Sequence, residues 1–116
     1  MNKIGFRHAI RGIFKAIQFE RNMKIHMVAM LIVLFTGLIL NLNAIEWVFI
    51  LIAIAIVLIA ELLNTSIEKI TDQIFTGRHE HARNIKDISA GAVLVAAIFA
   101  AMIGIIIFLP KIINFF

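Results

Sequence analysis

Three apolar runs, at about 25–42, 47–63 and 88–109, limit what this chain can fold into, because each reaches the ~17–25 residues that span a bilayer. The second run reaches that length only by including Glu61, so this acid is expected near one interface and not at the midplane. The 116 residues are 62% hydrophobic with a mean hydropathy of +1.02, far more apolar surface than a soluble domain of this length can bury. The expected fold class is an all-α membrane protein, one domain over residues 1–116. Cysteine is absent, which excludes a disulfide framework and thiolate chemistry. A basic start before an apolar run also fits a signal peptide. Asn41-Leu42-Asn43-Ala44 is a poor cleavage site, however, so the N-terminus is expected to be retained.

Around the apolar runs the chain divides simply. Residues 3–24 alternate at helical spacing, with Phe6, Ala9, Ile10, Ile13, Ala16 and Ile17 opposed by Lys3, Arg7, Arg11, Lys15 and Gln18. That pattern suits an amphipathic helix lying in the membrane surface. Glu20 projects from the apolar stripe and is expected to face the bundle, although pairing with Lys24 one turn on is an alternative. Transmembrane helices are expected at 25–42, 47–76 and 88–109, with a polar turn at 41–46, Trp47 as an interface anchor, and Pro110 closing the last helix. Basic residues crowd before the first run and between the second and third. None lies between the first and second, and only Lys111 follows the third. The positive-inside rule then gives a cytoplasmic N-terminus, a cytoplasmic second loop and an external C-terminus. The net charge of +4 fits loops facing anionic lipid, and with aromatics scattered through apolar runs nothing favours nucleic acid.

The chemistry is concentrated where the second run ends. Glu61, Glu68 and Asp72 are spaced by seven and four, so with Asn64 and Thr65 they fall within roughly 60° of one line along a helix. A carboxylate near membrane depth is costly, which makes it a functional-site hypothesis. Each residue also has a plain reading: Glu61 as a snorkelling acid, Glu68 and Asp72 as solvated residues, Asn64 as an interhelical contact, His79 and His81 as loop residues, and Lys86-Asp87 as a helix-entry pair. Together they form a set for in-line phosphoryl transfer from ATP to a lipid alcohol. Glu20 and Glu68 offer oxygen ligands for Mg²⁺, Arg78 and Lys86 offer cations for phosphate, and Glu61 offers a base for the hydroxyl. No G-x-x-x-x-G-K-[ST] loop or protein-kinase signature is present, so the expected kinase is of another design. A small proton-coupled transporter would place its acid near the midplane. A rotor-ring subunit would carry one carboxylate per hairpin and an uncharged loop.

The run from Glu61 to Asp72 resembles the E-x-x-N-[TS]-[AS]-I-E-x-x-x-D signature of the small bacterial integral-membrane lipid kinases, which comprise diacylglycerol kinase and undecaprenol kinase. The resemblance continues through His79, Ala82, Lys86-Asp87 and Ser89-Ala90-Gly91-Ala92-Val93-Leu94, and includes Gly12 followed by Glu20. It implies a homotrimer in the bacterial cytoplasmic membrane, with sites between protomers. It also implies Glu61 as general base, Glu20 and Glu68 for metal-mediated ATP binding, and Gly77, Arg78 and His79 at the nucleotide. Lys86-Asp87 would lie at its phosphates and ribose side, and Asn64 and Asp72 in support.

Two departures bear on the acceptor. The Arg that diacylglycerol-directed relatives often carry early in the surface helix corresponds to Met1, leaving its contact to Arg7 or Arg11, while His8 stands for a nucleotide-contacting aromatic. Glu20-Arg21-Asn22-Met23-Lys24-Ile25-His26 resembles the E-R-N-x-x-I-H form of Gram-positive undecaprenol kinases, as do Asn64-Thr65 and Phe108-Leu109-Pro110-Lys111. Undecaprenol is therefore the acceptor expected first and diacylglycerol second.

Overall fold

The protein is described by a computed structural model covering residues 3–77 and 79–116, the side chains of Lys3 and Ile4 excepted. Four helices follow one another: α1 (Lys3–Phe19), α2 (Arg21–Ile39), α3 (Ala44–Ile74) and α4 (Glu80–Phe115). The last three are long and apolar enough to cross a membrane. At ~1.5 Å per residue α2 just spans ~30 Å of hydrocarbon, whereas α3 and α4 overshoot it by several turns. The radius of gyration is 17.1 Å, against about 13 Å for a compact soluble domain of this length. The shape is an elongated slab.

Helix ends differ from the sequence expectation in ways the local chemistry explains. Residues 3–24 do not form one helix. Glu20 is extended (φ −103°, ψ 121°), so α1 stops at Phe19, and Arg21, Asn22 and Lys24 form the polar first turn of α2. Hydropathy marks where a helix enters lipid, not where its hydrogen bonds begin. The expectation that Pro110 closes the last helix is also corrected, since Pro110 lies inside α4. A proline removes one N–H and crowds the carbonyl four residues earlier, but the backbone beyond it resumes helical pairing down to Phe116 N–H on Ile112 O at 3.2 Å. Lys111 Nζ lies 3.1 Å from Glu46 Oε1 and fastens this last stretch to the start of α3.

The turn between α2 and α3 is built from several local devices. Asn41 adopts φ 53°, with Leu42 N–H on Gly37 O at 3.3 Å and Asn41 N–H on Leu38 O at 3.4 Å. This is the Schellman pattern, with asparagine in the left-handed position. Asn43 then caps α3. Its Oδ1 accepts from Glu46 N–H, and Glu46 Oε1 accepts from Asn43 N–H, both at 2.9 Å. Trp47, expected as an interface anchor, lays its ring over Gly37.

Helices α3 and α4 make the most extensive contact in the bundle, α2 packs on α3, and α1 reaches both α2 and α3. The buried centre is small: Met23 and Ile50 are 1% exposed, with Ala53 and Ala96 among the other covered side chains. Most large apolar residues, Phe35, Ile52, Leu94 and Ile106 among them, remain exposed on the single protomer. Such a surface is matched to lipid or to further copies, not to water.

Candidate active site

Helix α3 carries the acidic line. Counted from Ala44, ~30 Å of hydrocarbon is used up near Glu61, which leaves Glu68 and Asp72 about two and three turns beyond. Glu61 is nonetheless 2% exposed, Asn64 and Thr65 are buried within about a turn of it, and Thr71 is buried further along the helix. Thr71 returns its hydroxyl to Ile67 O at 2.7 Å, so it serves the helix and not the site. Asn64 does more. Its Nδ2 donates to Glu68 Oε1 at 2.7 Å, fixing that carboxylate one turn away. Its Oδ1 is buried with no hydrogen-bond partner among the described residues. An acceptor left over on a buried amide is uncommon and marks a place where a donor or a hard cation is accommodated.

Two neighbouring elements bring further groups to this line. The extended residue Glu20 places Oε1 3.5 Å from Lys69 Nζ, so the acid between α1 and α2 reaches α3 instead of pairing with Lys24. The carboxylates of Glu68 and Glu20 both lie close enough to act electrostatically on Glu61. From α2, His26 Nε2 lies 3.6 Å from Glu61 Oε2. Among the described residues no three His, Asp or Glu side chains form a ready-made metal cage. Two carboxylates and a free amide oxygen are a hard-oxygen donor set, which suits Mg²⁺ because that ion keeps waters and completes its shell with substrate phosphate.

A second group lies where α3 gives way to α4. Gly77, in the left-handed region at φ 73°, turns the chain, and His79 caps α4 by accepting from His81 N–H on Nδ1 at 3.2 Å. The His79 ring lies 4.6 Å from that of Phe75. A cleft of 320 Å³ is lined here by Gly77, His79, Glu80, Ala82, Arg83 and Lys86. With two cations and the positive end of a helix at its border, it favours an anion. Lys86 also contacts Asp72, tying α4 to the acidic line.

Most of the expected site residues are thus drawn into two adjoining groups: Glu20, Glu61, Asn64 and Glu68 in one, Gly77, His79 and Lys86 in the other, bridged by Asp72. Asp87 is left outside, its side chain 71% exposed and 4.0 Å from Arg83. Arg78 lies outside the described residues. His26, Lys69 and Arg83 are the additions. In the sequence His26 stood out only as the last residue of the Glu20 to His26 stretch that resembles the undecaprenol kinases, with no role at the site. Lys69 and Arg83 counted only as loop or face charges.

Three membrane-length helices around a partly buried acidic site, with a cationic cleft beside it, define a multi-pass membrane protein equipped for work on an anionic substrate. Residues 7–108 match the family described as prokaryotic diacylglycerol kinase. The chain is 43% identical over 106 residues to the undecaprenol kinase of Bacillus subtilis (strain 168), covering 91% of this chain and 86% of that one. It is 36% identical over 112 residues to a diacylglycerol kinase of Synechocystis, covering 96% of this chain and 64% of the relative. It is 35% identical over 75 residues to that of Escherichia coli (strain K12), covering 65% and 62%. The chain belongs to the prokaryotic diacylglycerol kinase family and is a lipid kinase, as the signature beginning at Glu61 led one to expect.

Proposed function

We propose that this protein phosphorylates undecaprenol with ATP at the cytoplasmic face of the bacterial cell membrane. The observation that carries the reading is the placement of Glu61, an acid 2% exposed near the hydrocarbon boundary, yet two turns from an amide-held Glu68 and close to a cationic cleft. A lipid hydroxyl approaches from one side and a nucleotide from the other. The resemblance to the undecaprenol kinase, together with Glu20-Arg21-Asn22 and Ile25-His26, favours undecaprenol over diacylglycerol.

In the proposed reaction Glu61 accepts the proton of the lipid hydroxyl. The lipid oxygen bonds to the γ-phosphorus, and the bond from that phosphorus to the bridging oxygen breaks with its electron pair leaving on ADP. Glu20 and Glu68 would hold Mg²⁺, which when bound neutralises phosphate charge. Asn64 keeps Glu68 in place. Lys86 and Arg83, with Gly77, Arg78 and His79, receive the nucleotide, and Asp72 positions Lys86. Asp87 is proposed for the ribose side through a change of rotamer. The basic-residue pattern supports a cytoplasmic N-terminus, and α1 suits the membrane surface. The uncovered apolar faces of α2–α4 suit a homotrimer with sites shared between protomers.

Purified protein given equal undecaprenol and diacylglycerol with labelled ATP tests the reading. Label is expected mainly in undecaprenyl phosphate. Preferential labelling of diacylglycerol would move the acceptor to the second lipid, and no label in either would remove the kinase reading altogether.

A further inference from the structure

His26 is the only titratable side chain in α2 after Lys24; from Met27 to Ile39 the helix carries none. An imidazole at that depth needs a partner. The one it has among the described residues is the Glu61 carboxylate, 3.6 Å from Nε2, with the two side chains 20% and 3% exposed. The same ring lines one end of a cavity of 220 Å³ between α2, α3 and α4, whose other lining residues, such as Val33, Ile54, Val57, Ala101 and Phe108, are apolar. Along α2 this cavity runs from His26 to Val33, about 10 Å at ~1.5 Å per residue. His26 is therefore where a partly open apolar space between the helices meets the buried carboxylate. Glu61 also has the like charges of Glu68 and Glu20 near it, while His26 and the Asn64 amide are the neighbours that favour its carboxylate.

We infer that His26 is a positioning residue for Glu61: its Nε2–H donates to Glu61 Oε2 and leaves Oε1 directed at the hydroxyl of the lipid acceptor beside the apolar cavity. The inference rests on Glu61 being the base. The contact is a few tenths of an ångström longer than a hydrogen bond, as catalytic contacts commonly are before substrate tightens them. His26 keeps its own proton throughout. The proton that moves is that of the lipid hydroxyl, which goes to Glu61 Oε1 as the lipid oxygen bonds to phosphorus and ADP departs with the electron pair of the broken bond.

His26→Leu retains bulk against the cavity and removes the donor, whereas His26→Gln retains a donor at similar reach. A misplaced catalytic group costs about 10²-fold. His26→Leu is expected to lower kcat by roughly that factor with KM for ATP unchanged, and His26→Gln to recover most of the loss. In a Glu61→Gln background His26→Leu should cost nothing more, because two residues acting as one unit are not additive. The inference is overturned if His26→Leu keeps full kcat, if His26→Gln is as slow as His26→Leu, or if the double variant is slower than Glu61→Gln alone. An active Glu61→Gln enzyme would overturn the base assignment and this inference with it. An inactive Glu61→Gln enzyme beside a fully active His26→Leu enzyme would overturn this inference alone.

Discussion

Glu61 and Glu68 lie on one face of one helix and carry the same functional group, yet they have different surroundings. Glu61 is buried against His26, while Glu68 is half-buried and held by an amide at 2.7 Å. In the proposed function the first meets a lipid hydroxyl and the second presents oxygens to a cation. Glu61→Gln should therefore lose about 10²–10⁴-fold in turnover, the usual cost of a missing general base. Nucleotide binding should survive, as checked by ATP titration. No phosphorylated protein should accumulate, because the proposed transfer is direct; trapping one would defeat the mechanism. Glu20→Gln and Glu68→Gln should instead raise the Mg²⁺ concentration needed for half-maximal rate. Unchanged metal dependence in both variants would remove them as ligands.

At the scale of the element, the α2–α3 turn is the most tightly specified part of the chain. The Schellman bonds and the Asn43 capping box lock it on either side, and the Leu42 N–H and the Trp47 ring both meet Gly37. A Cβ at residue 37 would lie 2.7 Å from Trp47 Cη2 and 3.0 Å from Leu42 Cδ1, so the Trp47 ring would have to shift off the turn. Gly37→Ala should cost about 1–3 kcal/mol, the range for overpacking a filled site. The check is a lower unfolding temperature in detergent together with altered Trp47 fluorescence, and an unchanged Tm would show that the turn is looser than its contacts indicate. This turn lies at the far end of α3 from the acidic line, so the variant should keep its KM for ATP.

For the whole molecule, ion pairs at both ends hold α3 against α4: Lys111 with Glu46 at one end, Lys86 with Asp72 at the other. This antiparallel arrangement puts the 41–46 turn and the start of α4 at opposite ends of the bundle. The basic residues then predict which end faces the cytoplasm. Cysteine placed at Asn43 should react with an impermeant reagent added to intact cells, and cysteine at His81 only after the membrane is opened. The reverse pattern would put the acidic site away from ATP and reject the proposed function.

What the sequence determined by itself is whatever depends on short range. The three membrane-length helices follow from apolar run length. The common face of Glu61, Asn64, Glu68 and Asp72 follows from helical geometry, because spacings of three, four and seven place side chains together whatever surrounds them. The signature at Glu61 was enough to indicate the family. Where helices end was less legible. Extended Glu20 and helical Pro110 are settled by what their neighbours hold in place, not by the residue type. The pairs His26–Glu61, Glu20–Lys69 and Asp72–Lys86 could not be read at all. Each joins residues from different elements, and whether they meet depends on the rotation and axial register of one helix against another. That register is set by packing around Met23, Ile50, Ala53 and Ala96, which only the tertiary structure shows.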